Sequence, residues 1–157
     1  LKIIHLIAIS FWTDANLAIF ALSLYAQHTS GTEHFLWTYE MMANLFPKVI
    51  LPSAIVTIIT AILYGIFSNW GFFKFKWVTV KWLGTILLGL TTGFGVMKLL
   101  HSAILTIPRD MPFPTVLETC HMAIKSVSAL TFTQVFLLLL LIALSVIKPW
   151  MKRKRGR

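Results

Sequence analysis

Four long apolar blocks, separated by short polar stretches, constrain the fold of this chain more than any other feature of its sequence. The blocks run over residues 3–26, 46–67, 78–107 and 119–147. Each is long enough to cross about 30 Å of hydrocarbon, a crossing that takes about 20 helical residues. Backbone groups in lipid must pair within their own element, and unbroken apolar runs lack the alternation of barrel strands. The blocks therefore predict an all-α fold, an integral membrane antiparallel four-helix bundle.

The composition agrees with a chain whose solvent is lipid rather than water. Of its 157 residues, 57% are apolar and 12% are charged, far from the balance of soluble domains. We find no internal repeat or linker, so we predict a single transmembrane domain over residues 1–157 that ends in a basic tail, residues 148–157. The third block contains four glycines at roughly helical spacing, which predict a close helix–helix contact. These are Gly84, Gly89, Gly93 and Gly95.

The charges of the chain are sorted along its length, and this sorting predicts its orientation. Basic residues gather around the second loop and in the tail: Lys74, Lys76, Lys81, Lys148, Lys152, Arg153, Lys154, Arg155 and Arg157. Acidic residues gather in the first and third loops: Glu33, Glu40, Asp110 and Glu118. The positive-inside rule then predicts cytoplasmic termini, and we expect a multi-pass protein of the bacterial cytoplasmic membrane. Nucleic acid is not an expected partner, because no soluble surface accompanies the net charge of +9.

Polar side chains inside the predicted spans are the first candidates for function, because each is costly in lipid unless it is paired. There are six: Asp14, Asn16, Lys98, His101, His121 and Lys125. Lys98 and His101 are three residues apart, and His121 and Lys125 are four apart, so each pair shares a helix face. The two basic faces are predicted at similar depth on neighbouring helices.

These two faces allow several interpretations. Neutral imidazoles of His101 and His121 are suitable axial ligands for haem b, and the flanking lysines could hold its propionates. A bare metal ion between the two histidines is a second possibility. Copper is a third, because Cys120 and Met122 flank His121 and soft sulfur with imidazole suits Cu(I). In the plainest interpretation, Asp14 pairs with one of the lysines and the histidines make ordinary hydrogen bonds.

A second candidate site lies at the opposite membrane face. His5 comes just after the start of the first block and Lys81 near the start of the third, so both are predicted near the cytoplasmic boundary. The alternative for Lys81 is that its ammonium extends to the cytoplasm, and for His5 it is a contact with lipid headgroups.

The segments LKIIHLIAISFW, residues 1–12, and WVTVKW, residues 77–82, resemble an uncharacterised bacterial family of four-helix integral membrane proteins. More distantly, the early histidine and the lysine that opens the third helix are similar to those of HemJ-type protoporphyrinogen oxidases and of CopD-type membrane proteins. The HemJ resemblance implies a role for His5 and Lys81 in haem b binding or activity. The chain departs from that family at residues 13–16, where it has TDAN and lacks a following Pro-Arg.

The leading functional hypothesis from the sequence is a haem-binding or redox-linked membrane protein. A second is an accessory or scaffold subunit whose apolar fourth helix binds a partner membrane protein. A third is a small transporter that uses Asp14 and Lys98 as an intramembrane relay, or a copper-handling protein. Besides the lipid bilayer, a membrane-protein partner or a homo-oligomer is compatible with the sequence. Phosphate loops, nucleophile elbows and zinc-binding histidine pairs are missing, so no reaction is predicted.

Overall fold

The computed structural model describes residues 1–67, 76–106 and 112–147 of the chain. Within these ranges it contains α-helices and two π-helical segments, and no strand. The α-helices are α1 (Lys2–His28), α2 (Thr32–Leu45), α3 (Leu51–Phe67), α4 (Lys76–Leu90), α5 (Lys98–Thr106) and α6 (Phe113–Ile147). The π-helical segments are Phe46–Ile50, between α2 and α3, and Thr91–Met97, between α4 and α5. The predicted all-α class is confirmed.

The helices join into four continuous spans, and each is long and apolar enough to cross a membrane. Span 1 is α1, span 2 is α2 with α3, span 3 is α4 with α5, and span 4 is α6. We call the end that carries Lys2, Phe67, Lys76 and Ile147 the terminal end of the bundle, and the opposite end the distal end. The four predicted crossings are therefore present in this multi-pass membrane protein.

Two helix boundaries differ from the predicted ones, and both differences lie at the distal end. Span 2 begins at Thr32 rather than at residue 46. The apolar pattern does not reveal α2, because polar residues on its exposed side lower the apolar content of the segment. Residues on its other side, such as Phe35 and Tyr39, are fully buried. Span 4 begins at Phe113 rather than at residue 119, and Pro114 fits in its first turn because backbone N–H groups there need no helical partner.

Proline accounts for the irregular turn in the middle of span 2. Pro47 lies within the first π-helical segment and Pro52 in the first turn of α3. Neither has an N–H group for the helical ladder, and a π-helical turn lets the chain continue without a break. The backbone N–H of Leu51 accordingly bonds to the carbonyl of Phe46.

The antiparallel alignment of α4 and α5 with α6 is fixed by four contacts along their length. From the terminal end to the distal end these are Lys81 with Ser145, Gly84 with Leu141, Thr91 with Gln134, and Gly95 with Leu130. A Cβ at Gly84 would lie 2.8 Å from Leu141, and one at Gly95 would lie 3.3 Å from Leu130. These two glycines therefore make the predicted close helix contact, whereas Gly89 and Gly93 have open space where a Cβ would be.

The bundle is closed at the distal end and open on one side toward the terminal end. α1 is the central helix and packs against α2, α3 and α6, while α2 packs against α5 at the distal end. α3 and α4 barely contact each other. A half-open cleft of about 230 Å³ lies between them, and its walls are almost entirely apolar. The lining residues are Ile58, Trp82, Thr85, Ile86, Gly89 and Leu90.

Candidate functional site at the terminal end

Polar side chains from all four spans meet at the terminal end of the bundle. They are His5 of α1, Thr60 and Tyr64 of α3, Lys81 of α4, and Ser145 of α6, and we call them the terminal cluster. His5 and Lys81, far apart in sequence, each bond to a hydroxyl group of a neighbouring helix at this end. The two residues that the sequence predicts near one membrane face therefore lie at the same end of the bundle.

The imidazole of His5 is held by α3. Its Nδ1 lies 2.7 Å from Oγ1 of Thr60, and its ring meets the ring of Tyr64 edge to face at 6.0 Å between centroids. Oγ1 of Thr60 also lies 2.7 Å from the carbonyl oxygen of Val56, so the hydroxyl can donate to its own helix. When Nδ1 of His5 carries the proton, Thr60 accepts a hydrogen bond from it. In that tautomer of the neutral ring, Nε2 has a lone pair that can bind a metal or accept a proton.

The ammonium group of Lys81 has polar partners but no carboxylate among the described residues. Its Nζ donates to Oγ of Ser145 and lies 5.9 Å from the ring centroid of Trp77, within the range of a cation–π contact. Lys81 is half-buried, so its side chain does not simply extend into water. In the sequence, each of the five acidic side chains is at least nine positions from every member of the terminal cluster. They are Asp14, Glu33, Glu40, Asp110 and Glu118.

The apolar cleft between α3 and α4 begins at a depth similar to that of the terminal cluster. Its lining residues Ile58 and Trp82 are close in sequence to Thr60 and Lys81, but they point from other faces of α3 and α4. From there the cleft continues toward the middle of the bundle as far as Leu90. The terminal end thus combines a histidine, a cation without a carboxylate partner among the described residues, and an apolar cleft at a similar depth.

The four distal candidates are differently placed. Lys98, His101, His121 and Lys125 are all exposed, while the residues next to them that face the core are apolar, such as Leu100 and Ile124. The alignment of α5 with α6 puts His101 opposite Ile124, so the two histidines differ in depth by only about 5 Å. Within the described residues no hydrogen bond, ion pair or ring contact joins the four side chains. The idea that they share a haem or a metal stays a prediction.

The structure also bears on the bare-metal and copper interpretations of the distal residues. Across the described part of the chain, no three His, Cys, Asp or Glu side chains are grouped so as to hold a metal ion. Cys120 is buried at 2% exposure, whereas His121 and Met122 are exposed, so these consecutive residues point in different directions.

Asp14 is exposed on the outward side of α1 and forms no ion pair within the described residues. The rings of Phe20 and Phe132 meet at 5.6 Å and align α1 with α6. Asp14 lies six residues from Phe20 toward the terminal end, and Lys125 lies seven residues from Phe132 toward the distal end, so the two differ in depth by about 20 Å. Lys98, three residues beyond Gly95, is about 16 Å away in depth.

Asn16 is turned inward and is, like Gln134, one of a group of polar side chains that are buried in the interior of the bundle. Its Nδ2 donates to the carbonyl of Trp12, while Nε2 of Gln134 donates to Oγ1 of Thr91. Oδ1 of Asn16 and Oε1 of Gln134 then have no partner among the described residues. This group is separate from the terminal cluster.

Sequence reasoning did not identify Thr60, Tyr64 and Ser145 as site residues. One signal was present, since Ser53, Thr57 and Thr60 recur at helical spacing and form a buried hydroxyl face on α3. Ser145 had no such signal, because a lone serine in a membrane helix usually bonds only to its own backbone, as Ser145 also does with Leu141.

Comparison with family models, with curated proteins and with solved structures finds no match to this chain. The resemblance to HemJ-type and CopD-type proteins therefore stays a prediction. Any function of the chain has to be inferred from the geometry of the terminal cluster.

Proposed function

We propose that this multi-pass membrane protein binds haem b at the terminal cluster and is linked to a redox process. One observation carries the proposal: His5 and Lys81 share the terminal end of the bundle, and among the described residues no carboxylate balances the charge of the lysine. An apolar cleft begins at a similar depth between α3 and α4. A ligand that suits this site is largely apolar, carries negative charge and contains a metal that an imidazole nitrogen can coordinate.

Haem b has these three properties. Its iron takes a histidine as an axial ligand, its propionates are anionic, and its macrocycle is apolar. His5 would supply Nε2 to the iron, since its Nδ1 is engaged by Thr60. Lys81 would balance a propionate. When bound, haem would supply one-electron chemistry to the protein.

The neighbouring residues prepare the two ligands for these roles. Thr60 and Tyr64 fix the plane of the imidazole of His5, so little side-chain entropy is lost when the ring binds. Ser145 and Trp77 hold the ammonium of Lys81 within the bundle. The walls of the cleft between α3 and α4 are apolar, which suits a lipophilic molecule that arrives from the bilayer.

We further propose that the terminal end faces the cytoplasm of a bacterial cell. Lys2 and Lys76 are exposed at the terminal end, while Glu33 and Glu118 are exposed at the distal end. This distribution supports the orientation that the positive-inside rule predicts. A water-soluble thiol reagent applied to intact cells should then miss a cysteine introduced at Lys76 and label one introduced at Glu33, and the reverse pattern would invert the orientation.

The proposal is tested by the optical spectrum of the protein purified in detergent after growth with added haem. We expect a Soret band in the wild type, its loss in His5→Ala and its weakening in Lys81→Met. Lys98→Met, which changes an exposed lysine of the same span, is the matched control and should keep the band. A protein that takes up no haem while a different membrane protein co-purifies in equal amount would favour the accessory-subunit alternative.

A further inference from the structure

A carboxyl group lies at the centre of the outward side of α1. The exposed residues of this side follow one another at alternating spacings of four and three, and we call them the Asp14 seam. They are Ile3, Ile7, Ser10, Asp14, Leu17, Ala21 and Leu24. Such spacing is that of a helix that packs lengthwise against another helix.

Asp14 is an unusual residue for a surface that faces only lipid. It lies near the middle of α1, and a carboxyl group at that depth is costly unless another polar group satisfies it. The described residues supply none, and the exposed lysines Lys98 and Lys125 lie about 16 to 20 Å away in depth. The group that satisfies Asp14 therefore comes from outside the described chain.

We propose that the Asp14 seam is the interface with a second copy of this chain, arranged about a two-fold axis parallel to the membrane normal. Two copies in the same orientation bring Asp14 of one copy opposite Asp14 of the second copy, at equal depth and without further adjustment. One carboxyl group, in its protonated form, then donates a hydrogen bond to the carboxylate of the other. The pair carries one negative charge instead of two.

The composition of the seam fits a second copy of itself. Ser10 and Ala21 lie one and two turns from Asp14, and their small side chains let two helices approach closely. The larger side chains of Ile7 and Leu17 alternate with these small ones along the seam. The only ionisable group at this depth that a second copy presents from the described residues is Asp14 itself, so in such a dimer each Asp14 is the hydrogen-bond partner of the other.

This inference is independent of the proposed haem site. The seam shares no residue with the terminal cluster or with the lining of the cleft. A failure of haem binding would therefore leave the dimer untouched, and a failure of the dimer would leave the haem site untouched.

Disulfide cross-linking in native membranes tests the geometry of the interface. In a Cys120→Ser background, which removes the only native cysteine, Ser10→Cys and Ala21→Cys should each give a covalent dimer on mild oxidation. Ala129→Cys is the matched control, because Ala129 is exposed on α6 at nearly the depth of Ala21. Equal cross-linking at all three positions, or cross-linking of the seam to a different protein, would overturn the proposal.

The role of the carboxyl group is tested by measuring the fraction of dimers in liposomes as the lipid-to-protein ratio is raised. We expect the wild type and Asp14→Asn to remain dimeric, because an amide pair also forms hydrogen bonds. Asp14→Leu should dimerise about 3- to 30-fold more weakly, the range expected for one interhelical hydrogen bond in lipid. A dimer of unchanged affinity in Asp14→Leu, or a wild type that is monomeric at every lipid dilution, would contradict the proposal.

Discussion

The terminal and distal ends of this bundle carry the same residue types but use them differently. Each end has lysine and histidine on neighbouring helices. At the terminal end, His5 and Lys81 are partly buried and bond to hydroxyl groups of α3 and α6. At the distal end, His101 and His121 are exposed on the outside. Spacing along a helix tells which residues share a face, whereas the packing of the helix decides where that face points.

The interior of each end explains the difference. The distal core is filled by large side chains, including Phe35, Tyr39 and Met42 of α2, which leave no room for an imidazole between the helices. At the terminal end, α3 presents the small hydroxyl residues Thr57 and Thr60 to α1, and α3 stands apart from α4. Polar side chains can therefore turn inward only at the terminal end.

The distal end is closely packed, so shortening a buried side chain there should lower the stability of the protein more than a similar change at the terminal end. Phe35 is fully buried against Tyr39 and Phe113, so we expect Phe35→Ala to lower the free energy of unfolding by about 3–5 kcal/mol. Tyr64→Ala, at the terminal end and only partly buried, should cost less, and Trp37→Ala, 56% exposed, is the surface control. Unfolding in mixed detergent–SDS micelles measures all three, and equal losses for Phe35→Ala and Tyr64→Ala would remove the contrast between a closed and an open end.

Removal of the hydroxyl that orients His5 should have the next largest effect. Thr60→Val keeps the shape of the side chain but leaves Nδ1–H of His5 without its acceptor, at an expected cost of about 1–3 kcal/mol. Thr133→Val is the matched control, because the exposed hydroxyl of Thr133 bonds only to the carbonyl of Ala129. The same unfolding assay applies, and equal small losses in both variants would indicate that the hydrogen bond to His5 is not structural.

Removal of the charge of Lys81 should separate stability from ligand binding. In cofactor-free protein, Lys81→Met removes a half-buried cation without a carboxylate partner, so we expect unchanged or slightly higher stability, by about 1 kcal/mol. Thermal unfolding followed by tryptophan fluorescence measures this, with Lys98→Met as the exposed control. A marked loss of stability in Lys81→Met alone would mean that the lysine serves the fold rather than a ligand.

The smallest effect is expected from two glycines of span 3. Gly89→Ala places its methyl group in open space and gains helix propensity, so it should stabilise the protein by about 0.5–1 kcal/mol. Gly84→Ala has the same propensity gain but meets Leu141, which should offset much of it. The two variants compared in one unfolding experiment check the alignment of α4 with α6, and a larger gain for Gly84→Ala would contradict that alignment.

The sequence was sufficient for the helical class and the four crossings, because length and apolar content decide both. It missed the beginning of span 2, where exposed residues such as Glu33 and Glu40 interrupt the apolar pattern of α2 although its other side is buried. It could not give the rotation of each helix about its axis, which depends on contacts such as Gly84 with Leu141. For that reason the terminal pair could be named as candidates, but its partners Thr60 and Ser145 could not.

The proposed haem site lies at the terminal end of the bundle, and one comparison tests this location directly. The haem-to-protein ratio is measured for His5→Ala and for the double variant His101→Ala with His121→Ala, purified side by side after haem supplementation. We predict that His5→Ala loses the bound haem and that the double variant retains it at the wild-type ratio. Retention by His5→Ala together with loss in the double variant would move the site to the distal end and contradict this account.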